Sequence, residues 1–171
     1  MNKHAKGFTL IELIVVIAII GVLATVLIIT FNPLAQLQKA RDAQRRSDMK
    51  AIQNALEQYY NDHGSYPTVP CAWYASESDA TGPGWVCHSG GDWIPGLAPQ
   101  YMKSLPKDPS GGSNGTGCKT YLYYSNGAGY ALLAHCSAES PNAYANQKDA
   151  FYDPVRPTWA WKVCAGAGCD W

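Results

Sequence analysis

From Phe8 to Phe31 the chain carries 24 consecutive residues, FTLIELIVVIAIIGVLATVLIITF, whose only ionisable side chain is Glu12. Coiled as an α-helix at about 1.5 Å per residue, the run spans roughly 36 Å, enough to cross the hydrocarbon core of a bilayer. Lys3 and Lys6 precede it, which predicts a cytoplasmic N-terminus and places the rest of the chain outside. All six cysteines, at 71, 87, 118, 136, 164 and 169, lie beyond the run. An even number outside the anchor reads as a disulfide framework formed in an oxidising compartment, so the two signals agree.

Glu12 breaks the pattern. A carboxylate in such a segment costs about 2.5–3.5 kcal/mol at the centre of a membrane helix and less near the interface. No Lys or Arg occurs between Lys6 and Lys39, so the run supplies no cationic partner. One reading is an interfacial Glu snorkelling to water in a plain anchor. The other is pairing with a new α-amino group created by cleavage before Phe8, donated by a neighbouring copy. An ordinary secretory signal needs a shorter apolar core and a small-x-small cleavage site, which this run lacks. The string Lys6-Gly7-Phe8-Thr9-Leu10-Ile11-Glu12-Leu13 resembles the signal peptide of prepilins and of type II secretion pseudopilins. That resemblance implies cleavage by a dedicated prepilin peptidase between Gly7 and Phe8, methylation of the Phe8 amine, and an assembly role for Glu12. The family's helix glycine maps to Gly21.

Beyond the run, Met49, Ile52, Leu56 and Tyr59/Tyr60 recur at helical spacing up to about His63, marking a stripe that faces a head domain. Residues 35–48 are polar, and the spacing predicts a solvated stalk or a subunit contact. Lys39, Arg41, Arg45, Arg46 and Lys50 outnumber Asp42 and Asp48 there. Asp42–Arg46 and Arg41–Arg45 have i,i+4 spacing, one attractive and one repulsive. From Gly64 onward the balance reverses, with six Lys/Arg against eight Asp/Glu, while the whole chain has zero formal net charge and no global field for nucleic acid or lipid. Pro33 predicts a kink or break near Asn32. Pilins often carry proline a few residues earlier, where this chain has Ile29, and partial unwinding of residues 21–33 on filament entry is expected. Gly64 and Pro67 end the helix, and the Gly-Ser-Tyr-Pro ending also resembles pseudopilins.

The head, residues 64–171, opens with a Pro- and Gly-rich loop region over 65–117, with one short helix expected near Leu97–Leu105. Leu105-Pro106-Lys107-Asp108-Pro109 resembles the turn that precedes the sheet in major pseudopilins. Tyr121–Tyr124 and Tyr130–Ala134 read as a hairpin about Gly127, which sets Cys118 opposite Cys136 within disulfide range. Trp159, Trp161 and Val163 alternate as a third strand. Cys71–Cys87 is expected to close the first loop, with roughly 3 kcal/mol from chain entropy, and Cys164–Cys169 to clamp the C-terminus. Fourteen other pairings of the six cysteines stay open.

Other constellations point less far. Gly111–Gly115 fits G-x-S-x-G but lacks the strand and helix of a nucleophile elbow, and Asn114 heads a glycosylation sequon by pattern only. Cys87-His88 and His135-Cys136 lack zinc-ribbon spacing. No metal site is assigned. Calcium is the one ion the resemblance suggests, with Asp108, Asp149 and Asp153 available. Trp73, Trp85, Trp93 and Trp171 are read as exposed, either stapling loops or binding sugars or surfaces.

The expected fold is therefore α+β and pilin-like: a leader over 1–7, a membrane and filament-core helix over 8–31, an amphipathic continuation over 32–63, a long loop region, and a small antiparallel sheet in a disulfide-stapled head. The resemblance implies a non-enzymatic filament subunit of a type IV pilus or a secretion pseudopilus, without cofactor. Its implied partners are identical or related subunits, the prepilin peptidase, an assembly ATPase and a platform membrane protein. Nucleic acid is expected only by way of a DNA-uptake pilus. Before assembly the chain is placed in the cytoplasmic membrane with its head outside, and afterwards in an extracellular or periplasmic filament. The alternative is an anchored extracellular binding module that never polymerises.

Overall fold

The computed structural model describes residues 7–78, 86–112, 118–140, 143–144 and 146–171. Two helices lead the chain, α1 over Leu10–Phe31 and α2 over Pro33–His63. Five strands follow: β1 Trp73–Ala75, β2 Val86–Ser89, β3 Thr120–Ser125, β4 Tyr130–His135 and β5 Ala160–Ala165, then a 3-10 turn at Gly166–Asp170. The chain divides into two compact units, Met1–Leu37 and Gln38–Trp171.

In the first unit, α1 runs unbroken through Gly21 and stops at Asn32, whose backbone is left-handed at φ 38°. Asn32 Oδ1 accepts a hydrogen bond from the Ala35 amide at 3.2 Å, and Pro33 takes the first helical position of α2. Pro33 is thus not an interior defect. Asn as N-cap and Pro at the first position are the residues that start a helix, so the break expected near Asn32 is one helix ending and another beginning.

The second unit is built on the apolar stripe of α2. Met49, Ile52 and Leu56 are fully buried and share a core with Tyr121, Tyr123, Tyr130, Leu132 and Trp161. Gly64, at φ +69°, stops the helix, donating its amide to the Tyr60 carbonyl at 2.8 Å. The sheet order is β2-β1-β3-β4-β5. It is mixed rather than purely antiparallel, because β2 runs parallel to β1. The alternate residues Leu122 and Leu133 face away from the α2 core and pack with Ala75, Trp73 and Val86.

The β3–β4 register pairs Thr120 with His135 and Ser125 with Tyr130, so the hairpin is centred between Gly127 and Ala128, half a residue beyond the expected pivot. Strict pairing would set Cys118 opposite Ser137. Lys119 and Cys136 instead take left-handed conformations, φ 55° and 48°, where the ladder ends, and Cys118 joins Cys136 with Cα atoms 4.9 Å apart. Cys71 is bonded to Cys87 and Cys164 to Cys169. The Cys164–Cys169 segment lies so close to β4 that a Cβ on Gly168 would sit 2.0 Å from the Tyr130 carbonyl oxygen. No helix forms near Leu97–Leu105. That segment folds as turns, with a Tyr101-to-Leu97 amide hydrogen bond at 3.0 Å.

Candidate functional site

Of the sequence-predicted processing and assembly residues, Gly7, Phe8 and Glu12 lie together at the start of α1, whereas Gly21 is in the middle of that helix and Pro33 opens α2. Gly7 and Phe8 precede the first helical residue and are exposed, Phe8 at 89 %. The bond between them therefore lies in accessible, non-helical chain, as a peptidase requires. Thr9 is the N-cap: its hydroxyl accepts the Glu12 amide at 3.3 Å, while Glu12 Oε2 accepts the Thr9 amide at 2.8 Å and the Thr9 hydroxyl at 2.7 Å. Glu12 thus finds partners within its own helical turn. Thr-x-x-Glu ahead of an apolar run is a legible capping-box signature.

From Leu10 to Leu27 the helix is long and apolar enough to cross a membrane. None of its described side chains is buried by the chain itself. Apart from its chain neighbours and the adjacent helix backbone, Gly21 meets no described atom within 4 Å of where a side chain would begin, and its carbonyl accepts the Thr25 hydroxyl at 2.9 Å.

A second constellation corrects the expectation for residues 35–48, which are not a wholly solvated stalk. Arg45 is fully buried. Its guanidinium grips Asp108 through two bonds of 2.9 Å and also reaches Asp42 at 2.7 Å and Glu139 at 2.8 Å. Burial opposes its charge, but Asp108, Glu139 and Asp42 outweigh that and raise its pKa. Asp108 is likewise disfavoured by burial, yet Arg45 and Ser110 hold its carboxyl below the usual carboxylate value. Asp42 pairs with Arg45, not with Arg46, and its carboxylate also receives the amides of Glu139 and Ser140. Arg46 turns to Asp149 and stacks its guanidinium 4.5 Å from the Trp161 ring. Arg41 pairs with Glu139 at 3.0 Å. The polar face of α2 is thus the seat of the head, and the Asp of the Leu-Pro-x-Asp-Pro string is its main clamp.

The remaining candidates divide. Asp108, Asp149 and Asp153 are each paired with cations, namely Arg45, Arg46, and Arg156 with Lys162. Cys118, His135 and Cys136 lie together, but the disulfide between the two sulfurs removes the thiolates that zinc needs. Trp93 is buried in the core at 1 % exposure and corrects its reading as a surface residue. Trp73 and Trp171 are half-buried. Trp85, Ser113 of the G-x-S-x-G string and the Asn114 sequon fall outside the described residues.

Comparison with known proteins places these features in a lineage. Residues 2–28 match the prokaryotic N-terminal methylation motif. The chain is 35% identical over 113 residues to the type II secretion system core protein G of Vibrio cholerae, covering 65% of this chain and 70% of that protein. The Escherichia coli K12 protein of the same name is 37% identical over 111 residues, covering 62% and 67%. A fimbrial protein of Neisseria meningitidis is 36% identical over 83 residues, covering 48% of each chain. No solved structure matches.

Proposed function

The chain belongs to the family of type II secretion core protein G, the major pseudopilins, and from that membership we propose that it is a structural, non-enzymatic subunit of a pseudopilus, cleaved between Gly7 and Phe8 and built into the filament through α1. The observation that carries this reading is the contrast at α1, an apolar helix whose described side chains are all exposed and which follows directly on an exposed Gly7–Phe8 bond and carries a single carboxylate. Such a surface is stable in lipid or packed against other apolar helices, and not in water.

The proposed course is an exchange. The anchored precursor loses residues 1–7, its Phe8 amine is methylated, and the apolar face of 8–31 leaves hydrocarbon for the filament core. There Glu12 meets the Phe8 amine of a neighbour, so that two charges are satisfied in a dry place. Melting between Gly21 and Pro33 accompanies entry. An assembly ATPase and a platform membrane protein supply the lift, and the head stays on the far side of the cytoplasmic membrane, where its cysteines oxidise. Intact mass of the protein from cells with and without an active prepilin peptidase tests the premise. Loss of residues 1–7 and gain of one methyl group, only when the peptidase is present, is the expected result. A full-length chain in both refutes it. The fimbrial relative and the three disulfides favour a second reading, a durable surface pilus. Immunolabelled filaments outside the cell, rather than confined to the envelope, decide for it.

A further inference from the structure

The sheet face turned away from α2 is neither bare nor closed. Two adjoining cavities, about 180 and 500 Å³, share Trp73 and Arg156 as a common wall. Along them runs a series of rings. Trp159 stands edge-on to His135 at 4.8 Å, Trp73 lies 5.8 Å from Tyr124, and Tyr124 lies 4.6 Å from Trp171. Arg156 sits between the tryptophans, its guanidinium 5.6 Å from the Trp73 ring and 5.9 Å from the Trp159 ring. Trp159 remains 39% exposed, while the other rings are partly packed against one another. Large rings held in place by neighbours lose little freedom on binding.

We propose that this groove is a binding site for an uncharged glycan. Charge decides the ligand class. Among the described residues, no Asp, Glu or Lys lines either cavity, and the one cation, Arg156, already faces Asp153 at 3.1 Å and the main-chain oxygen of Trp171 at 3.0 Å. A single-stranded nucleic acid offers rings to stack but needs a track of cations for its phosphates, and none is present. A peptide recruited by strand addition needs a sheet edge, whereas the floor of this groove is Leu122 and Leu133 on β3 and β4, both flanked by other strands. A sugar chain meets the remaining requirements. The C–H faces of its rings cover aromatic surfaces such as that of Trp159, and its uncharged hydroxyls ask for no counter-charge from the groove.

The test uses the full-length chain in a zwitterionic detergent, since maltoside headgroups would compete. Cellohexaose, chitohexaose and maltohexaose are titrated against tryptophan emission, with oligothymidylate as competitor. At least one hexasaccharide is expected to give a saturable shift that oligothymidylate does not displace. Trp159→Ala is expected to weaken it about tenfold, the size of one aromatic stacking contact, at an unchanged thermal midpoint, and Trp159→Phe to retain it. No saturable response to any of the three, undiminished affinity in Trp159→Ala, or displacement by oligothymidylate overturns the proposal. Binding is read on the single chain, so neither result depends on whether it polymerises.

Discussion

The N-terminal helix and the head treat charge in opposite ways. Glu12 sits on an exposed apolar segment and is held by one residue three positions away. Arg45 is fully buried and held by three carboxylates, two of them 63 and 94 residues distant in sequence. The head is closed, since its buried charge, its disulfides and its core are satisfied by its own chain. The N-terminal helix is open, since its apolar surface and its carboxylate are served only locally. A protein built this way can keep one folded domain constant while the other part changes surroundings from lipid to protein.

That contrast can be broken at its open end first. Glu12→Leu is expected to abolish incorporation into filaments while membrane insertion survives, read by sedimentation of sheared filaments beside membrane fractionation. Normal filaments from this variant refute the pairing. At the closed end, Arg45→Met leaves Asp42, Asp108 and Glu139 without their shared cation and is expected to cost about 3–5 kcal/mol of head stability, measured by denaturant unfolding. An unchanged midpoint would mean that the cluster does not hold the head. Replacing both Cys118 and Cys136 by Ala is expected to cost roughly 3 kcal/mol, against roughly 2 kcal/mol for the shorter Cys164–Cys169 loop. The reverse order would point to the C-terminal seam against β4 as the more dependent on its crosslink.

The smallest effect is with pH. Burial raises the carboxyl of Asp48 above the ordinary 3.8, so the folded head binds more protons than the unfolded chain in mild acid, and stability rises as pH falls toward that value. Asp108 and Asp149 are held below 3.8 against burial, chiefly by Arg45 and by Arg46. Their contribution is complete above the unfolded value and is lost as pH drops further. The thermal midpoint is therefore expected to peak in mild acid and decline below about pH 3.8, and Asp48→Asn is expected to flatten the rise without altering the decline.

Much of this architecture was legible where the signal is local. The apolar run, the stop at Gly64, the hairpin over 120–135 and the strand at 160–165 are each written in neighbouring residues. The Arg45 cluster was not, because helical spacing tells which charges share a face and nothing of what packs opposite, and Asp108 and Glu139 arrive from loops far along the chain. β1 and β2, at three and four residues, are too short for alternation to show. Trp93 was misread as exposed because a Gly- and Pro-rich setting suggests surface, whereas the loop folds back to plug the core with it. At the N-terminus the signature of the capping box was present in Thr9 and Glu12, and only the expectation of a cation hid it.

The capping box has a consequence for quality control. On the proposed pairing, a waiting subunit is at rest, its carboxylate quieted by its own second residue after cleavage. Both bonds from Thr9 to that carboxylate fall on Oε2, so a neighbour's amine can be taken on the other oxygen while Thr9 keeps the helix start in place. On that pairing an unprocessed neighbour, which has no amine at Phe8, offers the carboxylate nothing. The same two side chains that start the helix thus aim the carboxylate that a correct neighbour must meet.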